Sequence, residues 1–357
     1  MRVLVTGGAG YIGTHLLVDL LEAGHDAVVL DNFSTGHMEA LERVQDLAAR
    51  RVTLFRGSIS DEPLVRRALR GVDVVFHLAG LKQVGESMQR PESYFHNNVV
   101  GTTTLLYAMQ QVGVYRIVYS SSAAVYGPQA QMPIKEDAPL CPESPYGLSK
   151  MQGEQQLAWM VRQHGWSAVS LRYFNPVGAH PSGFIGEPFA HAASLVPRAL
   201  RALTRRDEQL TVFGTDYDTP DGTCLRDYIH ICDLSRAHLT AMKVLDRSGH
   251  HVYNVGTGRA YSVREILASC ERVTGRRVPH VDGSRRSGDV AVAVADPTRF
   301  RMQHGFTPWY GLDMMVASVW QWWQVNPEGY VTPALARHPM LEMSPPLVRS
   351  SLAGLRK

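Results

Sequence analysis

The chain is poor in cysteine: four residues in 357, and Cys141, Cys224, Cys232 and Cys270 form no C-x-x-C pair. That scarcity excludes a disulfide framework and a thiolate zinc site, and it suits free thiols in a reducing compartment. Long apolar runs are also missing, because Gly, Asp or His interrupts each one well short of a bilayer span. Residues 1–13 are apolar but broken by Gly7-Gly8 and carry no signal-cleavage pattern, so a cytoplasmic protein with no membrane partner is expected. Neither sign of charge dominates, since 36 Lys+Arg against 33 Asp+Glu leave a formal +3. No segment is both basic and aromatic, which argues against nucleic-acid binding. His77 and His250-His251 lack companions at ligand spacing, so no metal is expected.

What remains is an ordinary folded composition, 45% hydrophobic and 19% charged, long enough for about two domains. Apolar β-type runs fall at 2–6, 27–30, 52–55, 73–77, 116–120 and 168–171. Helical spacing separates them, as in Ile12, Leu16, Leu17, Leu20 and Leu21 and again across 92–111. Near-continuous apolar strands alternating with helices predict an α/β fold of Rossmann type, a doubly wound parallel sheet covered on both faces. Residues 175–188 hold three prolines and three glycines and read as loop. Helices are expected near 192–203, 231–245, 263–273 and 312–323 in a smaller C-terminal α/β lobe. The expected domains are therefore 1–174 and 175–333, some of whose segments return to the first domain, followed by a mobile tail over 334–357. The Trp320, Trp322 and Trp323 group reads as packing rather than a sugar platform.

The glycine turn Thr6-Gly7-Gly8-Ala9-Gly10-Tyr11-Ile12-Gly13 joins the first strand to the first helix and satisfies both G-x-x-G-x-x-G and G-x-G-x-x-G. Small residues there let backbone N–H groups approach a pyrophosphate at the positive end of a helix dipole. The second strand ends at Asp31, 21 residues after Gly10, where a carboxylate binds ribose hydroxyls and repels a 2′-phosphate. No Arg adjoins Asp31 in sequence, so the expected cofactor is NAD rather than NADP. Farther on, Tyr146 and Lys150 are four apart at a helix start and share one face. Ser120-Ser121-Ser122 end a strand about 25 residues earlier. A phenol stabilised as phenolate by an ammonium, with a serine bridging to a substrate alcohol, is an acid–base device.

Four further segments carry a resemblance: residues 77–86 (HLAGLKQVGE), 120–127 (SSSAAVYG), 172–180 (RYFNPVGAH) and 226–230 (RDYIH). With the glycine turn and Tyr-x-x-x-Lys, they resemble the extended short-chain dehydrogenase/reductase superfamily. Within it they resemble the UDP-glucose 4-epimerase family, over residues 1 to about 330. That resemblance implies an NAD-dependent isomerase interconverting UDP-glucose and UDP-galactose by transient oxidation at sugar C4. It implies catalysis by Tyr146, Lys150 and Ser122, which also touch the cofactor, and a homodimer built on the long helices that carry Leu106, Met109, Leu157, Trp159 and Met160. NAD would further be held by Gly7, Gly10, Tyr11, Ile12, Gly13, Asp31, Asn32, Ser34, Gly36, Ser58, Ile59, Leu78, Ala79, Gly80, Lys82, Asn97 and Phe174. The UDP-hexose substrate would meet Lys82, Ser122, Tyr146, Asn175, Ser194, Leu195, Thr211, Val212, Phe213, Arg226, Arg286, Asp289 and Ala293.

Three positions depart from the family pattern. Ser58 replaces an adenine-binding aspartate, Ser194 an asparagine, and Ala293 a bulky tyrosine beside the sugar. The last predicts that UDP-GlcNAc and UDP-GalNAc are accepted as well, unless another side chain such as Tyr310 refills the space. Rival readings are a 4-epimerase for UDP-glucuronate or UDP-xylose, a nucleotide-sugar 4,6-dehydratase and an NAD-sensing binding protein. The dehydratase needs an Asp-Glu pair after the active-site serine, where this chain has Ala123-Ala124.

Overall fold

The apolar runs of the first half become six parallel strands in the computed structural model, which describes residues 1–188, 194–205, 208–286 and 289–331. They are β1 (Arg2–Thr6), β2 (Asp26–Asp31), β3 (Thr53–Arg56), β4 (Val74–His77), β5 (Arg116–Ser122) and β6 (Ser167–Tyr173). A seventh, β10 (Gly249–Val255), comes from far along the chain and pairs with β6, giving the order β10-β6-β5-β4-β1-β2-β3. Neighbouring residues of one strand serve opposite faces. Val3 and Val5 pack in one cluster with Leu16, Leu20, Leu234 and Ala237, while Leu4 packs in another with Val65, Leu105 and Leu157. Burial on both faces is why these strands need no polar alternation.

The helices joining these strands are α1 (Tyr11–Glu22), α2 (Met38–Ala48), α3 (Glu62–Ala68), α4 (Val84–Gln89), α5 (Pro91–Tyr94), α6 (Gly101–Val112), α7 (Pro145–His164) and, before β10, α9 (Ile231–Val244). The long helical pattern over 92–111 is real but not uniform, since a π turn at Phe95–Val100 separates α5 from α6. Strand order reverses between β1 and β4, opening a crevice beyond the carboxyl ends of the strands. Thr6, Asp31, His77 and Ser122 stand at those ends.

The smaller lobe holds β7 (Asn175–Val177), β9 (Leu225–His230), β11 (Ala260–Ser262) and β13 (Val292–Ala293), with β8 (Leu210–Phe213) paired to β12 (His280–Gly283). Its core joins α8 (Leu195–Thr204), α10 (Val263–Thr274) and α12 (Leu312–Val325) through Leu200, Ile266, Val316 and Trp322. The remaining helix, α11 (Thr298–His304), turns Phe300 onto Tyr253 of β10. Two sequence expectations need correction. Residues 175–188 do not begin as loop, because Asn175 pairs with Tyr228 and its Nδ2 donates to the Asp227 carbonyl at 2.8 Å. Leu106, Met109 and Leu157 are not spare apolar surface, being buried under the sheet, whereas Trp159 is 57% exposed. Trp322 and Trp323 are buried and both donate to the Glu187 carbonyl. The tail expected over 334–357 lies outside the described residues.

Candidate active site

The glycine turn is shaped by close backbone approach. Gly7 has φ +71°, and a Cβ there would lie 2.8 Å from the Ala79 nitrogen, while one on Gly13 would strike the Gly7 carbonyl oxygen at 2.4 Å. Gly10 caps α1 without a side-chain hydrogen bond, and no acidic residue occupies the first turn. The helix thus presents first-turn N–H groups, Tyr11 and Ile12 among them, to an anion. Asp31 closes the other side, with Oδ2 accepting from Ala9 N–H at 2.9 Å and Oδ1 from Phe33 N–H at 2.7 Å. Burial raises its pKa and those two donors oppose the rise. Asn32 accepts from Ser34 N–H, Gly36 abuts Ala9, and Ser58 Oγ accepts from Ser60 N–H beside the buried Ile59. Folding adds what spacing hides: Arg56 is the cross-strand partner of Asp31, with its guanidinium 5.5 Å over the Phe33 ring. An uncapped helix end, an all-backbone cradle and a terminal carboxylate fit a dinucleotide.

The expected catalytic residues converge at the end of β5. Ser144 caps α7 by accepting from Gly147 N–H, and Pro145 opens the helix, so Tyr146 and Lys150 lie one turn apart. The Ser122 hydroxyl hydrogen-bonds the Tyr146 phenol, whose pKa burial raises and this bond lowers. Lys150 Nζ donates to the Ser120 carbonyl at 2.8 Å and lies 5.0 Å over the Tyr119 ring. Burial pulls its pKa down to about 8, against the attraction of Glu154. Across from it runs the segment after β4. Leu78 and Ala79 donate their N–H groups to Thr6, and a Cβ on Gly80 would lie 3.4 Å from Lys150 Nζ.

Asn98, not singled out by the sequence, pins that segment. It accepts from Leu81 N–H at 2.8 Å and donates to the Leu81 carbonyl and Ser149 Oγ, both at 3.0 Å. Its neighbour Asn97, the expected contact, donates to Asn98 Oδ1. The π turn places both asparagines, and such turns favour functional sites. His77 is also structural here, bonded to Thr6 and Thr102 and kept neutral because burial lowers its pKa to about 3. Lys82 leaves the segment to pair with Glu187 at 3.1 Å, and Tyr11 donates its hydroxyl to the Gly178 carbonyl at 2.6 Å, so both tie the domain to the strap before residue 188.

A second cluster lies toward the smaller lobe. Strand register leads from Ser122 to Tyr173, then two residues on to Asn175, which pairs with Tyr228 of β9. Arg226, two residues before Tyr228 and so about 7 Å away along the strand, pairs its guanidinium with Asp289 at 3.3 Å. Ala293 is the register partner of Arg226, and Arg286 stacks 4.0 Å over Phe213. Thr211 and Phe213 share one face of β8, while Val212 turns into the core, so Val212 offers only backbone to a ligand. Ser194 caps α8, followed by Leu195 packed on the core, and among the described residues its buried Oγ has no hydrogen-bond partner. Phe174 sits apart, buried with Val125, Tyr126 and Ile134. Asp227, unassigned from sequence, is fully buried and accepts from Thr257, Gly258 and Ala295 N–H, which fixes the floor of this region.

With this geometry in place, comparison with known proteins is direct. Residues 3–256 match the model of the NAD dependent epimerase/dehydratase family. The chain belongs to that family. A UDP-glucose 4-epimerase of Bacillus subtilis (strain 168) is 45% identical over 335 residues, covering 92% of this chain and 99% of the relative. Among solved structures, the family member UDP-glucose 4-epimerase from Bifidobacterium longum, in complex with NAD+ and UDP, superposes with a TM-score of 0.88 at 41% identity, covering 92% of this chain and 100% of that one. The UDP-Glc/GlcNAc 4-epimerase from Campylobacter jejuni gives a TM-score of 0.79 at 37% identity, covering 91% and 99%. The resemblance read from motifs therefore extends over nearly the whole chain. Among the described residues, no helix is long and apolar enough to cross a membrane, and no group of three or more His, Cys, Asp or Glu side chains is arranged to hold a metal.

Proposed function

We propose that this chain is an NAD-dependent isomerase that interconverts UDP-glucose and UDP-galactose by inverting the sugar C4. The observation that carries the reading is the buried Ser122–Tyr146–Lys150 group at the mouth of a dinucleotide cradle. NAD would be held by the Gly7–Gly13 turn, Asp31, the 78–82 segment and Lys150, and when bound it supplies a hydride acceptor at C4. Tyr146, helped by Ser122, takes the proton from the sugar O4 and gives it back to O4 once the sugar has turned its opposite face to the hydride carrier. Burial alone would leave the phenol protonated, so the Lys150 charge is needed to hold the phenolate. Arg226 and Arg286 would grip the diphosphate, because planar guanidinium groups match its oxygens. That grip is mechanical, since it keeps the 4-keto sugar attached while it turns. The test is to supply UDP-galactose without added NAD and look for UDP-glucose. Conversion is expected, and no conversion even with NAD supplied would overturn the reading.

Ala293 supports a broader substrate range that includes UDP-GlcNAc and UDP-GalNAc, the first named also for the Campylobacter relative. A side chain feared to refill the space is anchored elsewhere: Tyr310 stacks on His230 at 4.0 Å, at the far end of β9 from Arg226 and Ala293 and roughly 13 Å along the strand. Ala293→Tyr is expected to abolish turnover of the N-acetyl sugars while sparing UDP-galactose. A parent enzyme inert on UDP-GalNAc would refute this.

A homodimer is supported by Val100, Tyr107 and Trp159, which are 47–57% exposed at and beside α6 and on α7. Thr103 Oγ1 donates to Gln156 across the same two helices. Four such helices from two copies would cover this apolar face. A monomeric mass by light scattering at micromolar concentration would end that idea. Four free thiols suit a reducing cytoplasm.

A further inference from the structure

Behind Lys150, on the same face of α7 and one turn farther on, lies a third buried ionisable side chain. Tyr146, Lys150 and Glu154 follow at i, i+4 and i+8, and each is less than a tenth exposed. Isolated buried carboxylates are costly and are kept only where charge and hydrogen bonds compensate. Glu154 is compensated fully. Its Oε1 accepts from Ser121 Oγ and from Arg172 Nε at 2.9 Å, and its Oε2 accepts from Arg172 Nη2 at 2.6 Å. Arg172 is in turn held by Tyr126 and the Glu136 carbonyl, both at 3.0 Å. Ser121 directly precedes Ser122, and Arg172 is its register partner on β6. The carboxylate thus ties α7 to the strand end that presents Ser122.

The charges facing Lys150 are few. From α7 come Tyr146 and Glu154, from β5 the Ser120 carbonyl and the Tyr119 ring, and from β4 His77, which is neutral. Asn98 of the π turn lies with Lys150 Nζ beside Gly80. Tyr173 of β6 and His238 of α9 reach Ser120 and are uncharged. Glu154 is the one carboxylate among these groups, and its attraction joins the Ser120 carbonyl and the Tyr119 ring in opposing the desolvation of Lys150.

We propose that Glu154 is a positioning residue for the reaction, its buried carboxylate keeping the Lys150 ammonium charged and seated against Ser120, and through it the Tyr146 phenol ready to exchange its proton. This rests on the Tyr146–Lys150 assignment above. An inert structural pin would need the Arg172 bond but would leave the titration of Lys150 unmoved by loss of the charge.

The experiment reads Lys150 directly in the holoenzyme. The chain has only five lysines, at 82, 135, 150, 243 and 357, so carbon-13 labelling at Cε yields a spectrum simple enough to assign with a Lys150→Met control. In the parent the midpoint should fall below that of an ordinary lysine, because burial disfavours the ammonium. Loss of an opposite charge one turn away, with the Arg172 cation left behind, should lower it by roughly one unit in Glu154→Gln, with the other four lysines unchanged. The alkaline limb of kcat/KM should move down by the same amount, and Glu154→Asp, which keeps the charge, should restore both. Should Glu154→Gln fail to fold, Glu154→Gln with Arg172→Met removes the pair as a neutral unit and should still shift Lys150 downward, because of the two charges it is Glu154 that acts on Lys150. A Lys150 midpoint unmoved within 0.3 unit (about the precision of such a titration) in either folded variant overturns the proposal. The spectrum is independent of turnover, so an inactive parent with the predicted shift would fault the assigned reaction and not this coupling.

Discussion

The cradle makes opposite predictions for two glycines only three residues apart. A methyl on Gly13 would sit 2.4 Å from the Gly7 oxygen, 2.6 Å from Gly8 Cα and 2.8 Å from the Gly8 oxygen, all backbone atoms. None of these can rotate aside, so the turn itself must open. Helix propensity favours alanine by about 1 kcal/mol, yet overpacking against a fixed wall costs about 3 kcal/mol. The net expectation for Gly13→Ala is a loss of about 2 kcal/mol, or roughly 4–8 °C in Tm, in NAD-free protein. Gly10 differs. Its φ of −82° suits any residue, and an added methyl would meet only the Gly7 oxygen, at 3.3 Å. Gly10→Ala should therefore keep the NAD-free stability within about 0.5 kcal/mol of the parent. It should nevertheless bind NAD at least tenfold more weakly, about 1.4 kcal/mol, because the methyl fills the open side where the pyrophosphate must approach. Thermal unfolding of NAD-free preparations and calorimetric NAD titration separate the two effects. Gly13→Ala with an unchanged or higher Tm, or Gly10→Ala with parental affinity, would refute the geometry of the turn.

Other consequences concern single side chains. Tyr146→Phe should lower turnover by about 10²–10⁴-fold while leaving NAD content unchanged, and activity within threefold of the parent would remove Tyr146 from its role. Ser58→Asp should slow NAD dissociation by roughly ten- to a hundredfold, the worth of a charge-assisted hydrogen bond of about 1.5–3 kcal/mol, as measured by cofactor retained after dialysis. Asp19 of α1, bonded to Ser235 of α9, is held by burial with its pKa raised to about 6. Its folded form binds the proton more tightly than the unfolded chain, so its contribution to stability is present at low pH and is lost as pH rises from near 4 through 6. Asp19→Asn, which mimics the protonated acid, should stabilise the protein by about 2 kcal/mol at pH 8 and leave it unchanged at pH 4, by chemical denaturation.

The sequence by itself determined what depends on neighbours along the chain. Strand runs, the glycine turn and the Tyr146–Lys150 spacing are local patterns, because period, chirality and helix geometry act over a few residues. Their placement survived folding: β1, the turn and α1 lie as read, and Ser122 reaches Tyr146. What spacing could not show is every relation made by register between distant segments. Arg56 stands beside Asp31 only because β3 pairs with β2, and β10 joins the main sheet from 76 residues beyond the end of β6. Residues 175–177 form a strand because β9 supplies an edge, overriding their loop-like composition. Asn98, Glu154, Arg172 and Asp227 look like ordinary polar residues in the chain and become buried anchors through burial, which a one-dimensional pattern does not contain. Burial also decided which apolar residues of α6 and α7 remain outside, hiding Leu106, Met109 and Leu157 while exposing Tyr107 and Trp159, since a helix face is defined by what it packs against.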